Sequence, residues 1–416
     1  MGDLMRRLAA LPGPTRPDFW RSPLRGARFT AVLGVVLLVG LTLVAVTGLL
    51  SYAAYNPGLA AVNDKTPDKG LLGFYLFAWP TDPHWLYRLT QGVHVTLGTV
   101  LVPVVLAKLW SVIPRLFALP PVRSAGHALE RLSLLLLVGG ALFQIVTGLL
   151  NIQLEYVFPG SFYRLHFYGA WVFLAGFLTH TALKLPKAVR VLRDGVPPGD
   201  EDTLAAPAPA PPTLSRRGAF AMVGAGSLVL LATSAGRSSD ALRPTALLTP
   251  HGVQDPGSGP AGFQINKTAA SVHIRPADTG PAWRLTVRGP AGSFRFTRAQ
   301  LLAMELHSAA LPIACVEGWS TSDQWWRGVR LRDLAAIAGF PDRPPGVLVE
   351  SVQRAGSFRT AALRDNQVRD GRSLLALEVN GVALSADHGH PARIIVPAAP
   401  GVMNTKWVGS LTFGDL

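Results

Sequence analysis

Four apolar runs dominate the first half of the chain, at residues 29–50, 89–113, 132–152 and 162–185, and each is long enough to cross a bilayer as a helix. The polar segments between them alternate in charge. Residues 1–28 carry Arg6, Arg7, Arg16, Arg21, Arg25 and Arg28, the segment 115–131 is again basic, and Lys184, Lys187, Arg190 and Arg193 close the fourth run. The loop ending at Tyr87 sets Lys65 and Lys69 against Asp64, Asp68 and Asp82. Basic residues mark the cytoplasmic side, so the N-terminus is expected inside and the chain crosses four times. The first run is too long, and lacks the cleavage pattern, for a removable signal peptide.

A Pro/Ala-rich linker occupies 195–214 and reads as extended and semi-rigid. Next comes SRRGAF at 215–220 and an uncharged stretch to Gly236. This reads either as a fifth span or as a twin-arginine export signal that anchors the rest, and both place the chain from residue 237 onward outside the cytoplasm. From 237 to 416 the pattern changes: charges of both signs are dispersed and no long apolar run remains. Alternating segments at 283–287 (WRLTV) and 392–396 (ARIIV) predict strands, and 297–304 and 331–338 predict short helices, so this part is expected to be a β-rich α+β domain.

Composition agrees with a membrane protein, at 49% hydrophobic and 15% charged residues. The net charge of +14 lies at the ends of apolar runs rather than in one patch interleaved with aromatics, which argues against nucleic acid as a partner. Cys315 is the single cysteine, which excludes an intramolecular disulfide and leaves a buried small hydrophobe or a chemical ligand.

The fourth run carries His166 and His180, and fourteen residues of helix return to nearly the same face after roughly 21 Å. One such histidine is satisfied by neighbouring helices more often than not. Two in register inside a span point to function. Neutral imidazole ligates haem, and this separation suits one haem near each surface. His94 is the expected partner of His166 on the outer side, and His127 of His180 on the cytoplasmic side, with His84 in reserve. Lys108 stands fourteen residues after His94, where it reads as snorkelling or pairing with a propionate. Gly139, Gly140, Gly169 and Gly176 would let a macrocycle approach the backbone. This four-span arrangement resembles the di-haem b-type cytochrome subunits of bacterial membrane oxidoreductases over about the first 190 residues.

In the C-terminal part, residues 313–319 read IACVEGW, with Trp325 and Trp326, WRGVRLRDLAAIAG, and NGVALSADHGHPARIIVPAAPGVMNTKWV at 380–408 after them. From about Gly262 onward this resembles the sulfite oxidase family of molybdopterin enzymes, nearest the branch of the periplasmic methionine sulfoxide reductase catalytic subunit. The resemblance implies that Cys315 supplies the protein thiolate to a molybdenum centre bearing one pyranopterin dithiolene. It further implies that His388 and Arg393, the ends of HGHPAR, and Lys406 with Asn404 and Thr405 beside it, hold the pterin and its phosphate. Ser351 falls where that branch has a threonine near the cofactor, and Asn266 and Lys267 occupy the segment that touches the pterin. Phosphate calls for such donors on physical grounds. Sulfite oxidases place after the cysteine an arginine that binds the sulfur oxyanion. Here Gly318, Trp319 and Ser320 take that place, so Trp319, Asp323 and Trp325 are expected at the mouth of a pocket for a small, partly apolar oxo-donor or acceptor, with Asp323 as a proton carrier or a turn cap.

The expected protein is thus multidomain: 1–28 cytoplasmic, 29–194 an all-α haem b bundle, the 195–214 linker, 215–236 an anchor, and 237–416 an extracytoplasmic molybdopterin domain. Its expected activity is oxygen-atom transfer, with S- or N-oxide reduction favoured. Electrons would pass through two b haems to or from the membrane quinone pool. Oxidation of sulfite by the same architecture, and a haem-only carrier with a degenerate outer domain, are the alternatives.

Overall fold

The computed structural model describes residues 13–16, 19–64, 66, 77–117, 122, 124–153, 162–195, 210–247 and 257–416. The expected linker, apart from its last residues, lies outside them. Among the described residues six long helices precede residue 236: α1 (Ala27–Ala53), α2 (Leu86–Val100), α3 (Val102–Leu116), α4 (Ala125–Gln153), α5 (Phe162–Asp194) and α6 (Arg216–Ala235). Among the described residues α1, α4 and α6 are long and apolar enough to cross a membrane, and α2 with α3 forms a fourth candidate, bent by 41°. The unbroken run expected at 89–113 is therefore two helices. Pro103 has no N–H for the Thr99 carbonyl and its ring crowds that group, which kinks the helix there. α5 is 33 residues long but falls outside the apolar set, because His166, Thr179, His180 and Thr181 interrupt its hydrophobic run. At the start of α6 the Ser215 hydroxyl accepts from the Gly218 N–H at 3.0 Å, an N-cap that fixes where this helix begins.

The chain forms two compact units: residues 1–46, 96–149 and 165–233, and residues 47–95, 150–164 and 234–416. In the first unit Phe29, Leu33, Leu37, Leu101, Val104 and Ala219 share one core. α4 and α5 pack closely through small residues: a Cβ on Gly140 would lie 3.0 Å from the Phe173 backbone, and one on Gly176 2.7 Å from that of Leu137. A Cβ on Gly169 would meet Gln144 and Phe143. Three of the four glycines expected to admit a macrocycle are thus spent on helix packing, and Gly139 alone of the four is open. Lys108 Nζ donates to the Thr30 carbonyl in the first turn of α1, at 2.5 Å.

Among the described residues the second unit holds two sheets. Its strands are β1 (Leu285–Gly289), β2 (Gly292–Phe296), β3 (His307–Leu311), β4 (Gln324–Arg330), β5 (Gly346–Ser351), β6 (Thr360–Leu363), β7 (Leu374–Val379), β8 (Val382–Ala383), β9 (Arg393–Ile395) and β10 (Val408–Gly414). One sheet runs β2-β1-β10-β5-β6, and the other β3-β4-β7-β8 with β9 also on β7. β1 pairs β10 in parallel and the remaining pairs are antiparallel. The expected strands and helices are present, with α7 (Pro276–Thr279), α8 (Arg298–Leu302), α9 (Leu331–Ile337) and α10 (Asp365–Arg369) between them. The core joins both sheets through Leu285, Val349, Leu375, Ile394 and Leu411, all fully buried.

The loop between α1 and α2 belongs to this unit as well, so the compact units cut across the boundaries read from sequence. Asn56 donates to the Gln367 side chain at 2.8 Å, the Trp79 indole donates to the Ala398 carbonyl at 2.7 Å, and Asp82 pairs with Arg372 at 2.8 Å.

Candidate active site

The segment after β3 turns sharply at Cys315. Its N–H donates to the Trp319 carbonyl at 2.9 Å, and the Gly318 N–H returns to the Cys315 carbonyl at 3.1 Å. Gly318 has φ +88°, a left-handed conformation that glycine adopts without strain. Below the turn the Thr321 hydroxyl accepts from the Ile313 N–H at 2.9 Å, and the Gly401 N–H holds the Ala314 carbonyl at 2.7 Å. The turn is therefore rigid, and it delivers the Cys315 thiol, 1% exposed, into a cavity of about 540 Å³.

Most expected cofactor residues line that cavity: Asn266, Lys267, His388, Arg393, Asn404, Thr405 and Lys406, together with Cys315 and Trp319. Asn266 points Nδ2 at the Cys315 sulfur, 3.8 Å away. The Lys267 ammonium donates to Gln353 at 3.1 Å and to the Ser357 carbonyl at 2.9 Å. Lys406 donates to the carbonyls of Lys267 and of Asp387, and Arg393 to those of His388 and Asn404 while stacking over Trp326. His388 stacks on Phe263 with ring centroids 3.9 Å apart, and its Nε2 lies 2.8 Å from the Ala261 carbonyl. Ser351 is not in the wall; its hydroxyl donates to the Lys406 carbonyl at 2.8 Å and so supports the lysine from behind.

Electrostatically the cavity is a cationic interior short of anions. Burial lowers Lys267 to about 8 and Arg393 to about 9, holds Lys406 well below the usual lysine range, and lowers His388 to about 4. Arg393 Nε, Asn404 Nδ2 and Thr405 Oγ1 are buried without a hydrogen-bond partner. Unsatisfied donors beside buried cations are the observation that fits an anionic pterin phosphate, since buried polar groups otherwise find partners. Among the described residues no cluster of three or more His, Cys, Asp or Glu could hold a metal by itself, and Cys315 is a free, buried thiol.

Two expectations are corrected. Trp325 does not line the pocket: on β4 side chains alternate, Trp326 points into the core and Trp325 is 55% exposed. Asp323 also lies outside the wall, 3.2 Å from His84 Nε2, and this contact places the reserve haem ligand on the surface of the second unit. Sequence reasoning missed Glu317. This residue, inside the IACVEGW stretch, is 3% exposed, lines the cavity and has Oε2 without a hydrogen-bond partner. Burial raises its carboxyl, and burial together with the Glu317 charge raises the Cys315 thiol. The apolar neighbours Val316 and Trp319 were the signal that this acid is buried.

The expected haem ligands occupy both units. In the first unit His127 and Glu130 share a face of α4, and His180 and Lys184 share a face of α5; a 2.5 Å ion pair between Glu130 and Lys184 ties these faces together. His180 Nδ1 is buried without a partner. His166 Nδ1 lies 3.0 Å from the Thr147 hydroxyl, and a Cβ on Gly148 would be 3.3 Å from the same ring. His94, in the second unit, packs against Gly48, where a Cβ would be 2.8 Å from Cε1.

Known proteins share the C-terminal part of this chain. The family described as "Oxidoreductase molybdopterin binding domain" matches residues 271–415. The uncharacterized oxidoreductase YuiH of Bacillus subtilis is 33% identical over 101 residues, covering 24% of this chain and 49% of that protein. The mitochondrial sulfite oxidase of Drosophila melanogaster is 29% identical over 168 residues, 34% of this chain and 28% of that protein. Among solved structures, the sulfane dehydrogenase SoxCD of Paracoccus pantotrophus is similar at 26% identity and TM-score 0.30, covering 33% of this chain and 39% of that one. The C-terminal domain is a molybdopterin-binding oxidoreductase domain of the sulfite oxidase type. The chain spans half or less of the length of these relatives.

Proposed function

We propose that this chain is a membrane-bound molybdenum oxidoreductase that transfers an oxygen atom to or from a small substrate, with S- or N-oxide reduction favoured. Electrons pass between its pocket and the quinone pool through two b haems, one held by His94 and His166 and one by His127 and His180. The pocket lies on the extracytoplasmic side. The carrying observation is the rigid Cys315 turn opening into a cavity whose buried cations and unsatisfied donors await an anion.

When bound, the molybdenum pterin supplies the oxygen-atom chemistry. The chain's residues do the rest. Cys315 offers one thiolate, Arg393, Lys406, Asn404 and Thr405 hold the anionic end, and Asn266 orients the sulfur. Trp319, 3% exposed, closes the cavity beside the thiolate, and Glu317 sets a buried carboxyl in the cavity wall near it. A carboxyl there favours a neutral oxide over sulfite. The apolar, outward-facing Leu135, Leu178 and Leu228 support lipid as the surroundings of the helices.

Elemental analysis of detergent-purified protein tests this reading. About two iron and one molybdenum per chain are expected, with molybdenum lost and iron kept in Cys315→Ser. Iron without molybdenum, from a host that makes the cofactor, overturns the enzymatic reading. One iron overturns the His127/His180 pair. S-oxide, N-oxide and sulfite assays on loaded protein then decide the substrate, and activity on sulfite alone overturns the favoured class.

A further inference from the structure

Helix α2 presents two adjacent stripes to its own unit. Arg88, Gln91 and Val95 form one, at the spacing that keeps residues on a single helix face. Gln91 and Val95 meet the turn that begins at Cys315 directly, and Arg88 reaches it through Ser238. Gln91 Nε2 donates to the Val316 carbonyl. Val95 fills the space where Gly318 would carry a side chain, since a Cβ there would lie 2.6 Å from the Val95 Cβ. Arg88 donates to the Ser238 carbonyl at 2.8 Å, and the Ser238 hydroxyl donates to the Gly318 carbonyl at 3.4 Å. Tyr87 and His94, seven residues apart, form the second stripe. The Tyr87 and Tyr55 hydroxyls lie 3.2 Å apart, and His94 packs against Gly48. Gln91 is 9% exposed and Tyr87 1%, so neither contact is a surface accident.

The Cys315 turn thus rests on the helix that bears His94, and the side chain that holds it stands one turn from that histidine. A buried amide needs its partner, and the Val316 carbonyl is one residue from the thiol. We propose that Gln91 is a positioning residue for electron transfer: it holds the Cys315 turn on α2 and supplies the short bonded route from His94 through the helix to the pocket. This rests on the reading of Cys315 and His94 as ligands given above. In the reductive direction a quinol loses two electrons and two protons. A haem held by His94 would supply these electrons one at a time, and α2 with Gln91 would carry them to the pocket. In the pocket two electrons and two protons release the oxide's oxygen as water.

The test uses the full-length holoprotein with Gln91→Leu, which keeps the volume and removes the donor, and Gln91→Lys, which restores one. Wild-type iron and molybdenum content is expected in both. Reoxidation of pre-reduced haem by substrate should slow about tenfold or more in Gln91→Leu and recover to within about threefold in Gln91→Lys, while turnover with a soluble dye that reduces the pocket directly changes less than about twofold. The cofactor-free protein provides a second readout: exchange of the Gly318 amide hydrogen should quicken about tenfold in Gln91→Leu. Unchanged haem reoxidation, or loss of molybdenum from Gln91→Leu, overturns the inference. Wild-type protein without iron or molybdenum overturns the function reading instead, and leaves the exchange experiment to decide the mechanical contact.

Discussion

Asn266 Nδ2 stands 3.8 Å from Cys315 Sγ inside a cavity where Lys406 and Arg393 donate to backbone carbonyls. A donor aimed at a ligand sulfur tunes the metal without binding it. Asn266→Leu is therefore expected to keep its molybdenum and lose about 10- to 100-fold in activity, with a changed Mo(V) paramagnetic spectrum. Activity within twofold and an unchanged spectrum would reduce Asn266 to a wall residue.

Lys406 faces the carbonyls of Lys267 and Asp387, and among the described residues no carboxylate hydrogen-bonds its ammonium. An anionic cofactor supplies the missing charge. Lys406→Met should weaken pterin retention by about 1.5–3 kcal/mol, the range of a hydrogen bond to a charged group, which is roughly 10- to 100-fold in affinity. Pterin fluorescence per chain after oxidative release measures it, and full retention would show that the phosphate lies elsewhere.

The same cations set a pH dependence. Burial lowers Lys267 to about 8 and holds Lys406 below its ordinary value, so on raising the pH the folded cofactor-free protein gives up these protons before the unfolded chain does. The unfolded state then binds more protons, and stability rises with pH between about 8 and 10.5, falling again as pH is lowered through that window. Protein made in a host unable to build the pterin should show a thermal midpoint that climbs over this range, and phosphate should raise the midpoint at pH 7. A flat profile would mean that the lysines are already paired.

Trp325 and Asp323 lie outside the cavity. Trp325→Ala and Asp323→Asn should leave turnover within twofold; the partly exposed Asp323–His84 contact contributes less than about 1 kcal/mol. A tenfold loss of turnover in either would place the substrate on this outer face of β4.

His180 Nδ1 is buried without a partner beside the Glu130–Lys184 pair. His180→Leu should lower iron from about two to one per chain and remove one of two haem transitions in a redox titration. Two haems in this variant would exclude His180 as a ligand.

Hydrophobic pattern and a few motif residues carry much of this protein. The long apolar runs, the change of texture at residue 237, the strands at 283–287 and 392–396 and most residues that line the Cys315 cavity are legible along the chain, because burial periodicity and anion-binding residue types are local properties. Trp325 misled because its neighbour Trp326 has the same chemistry and the opposite face. Glu317 escaped because Val316 and Trp319 signal only that the stretch is buried, and the closed turn alone puts this carboxyl in the cavity wall.

The chain by itself determined the inventory: helices of bilayer length, a β-rich domain, one thiol and the cations for one anionic cofactor. Tertiary structure alone decided that the α1–α2 loop joins the C-terminal unit, that three glycines serve helix packing, and that Gln91 and Val95 grip the Cys315 turn. The contacts of Gln91 and Val95 join residues more than two hundred positions apart. No local propensity encodes such a pairing; it arises when two buried surfaces that need each other's donors and volume are brought together.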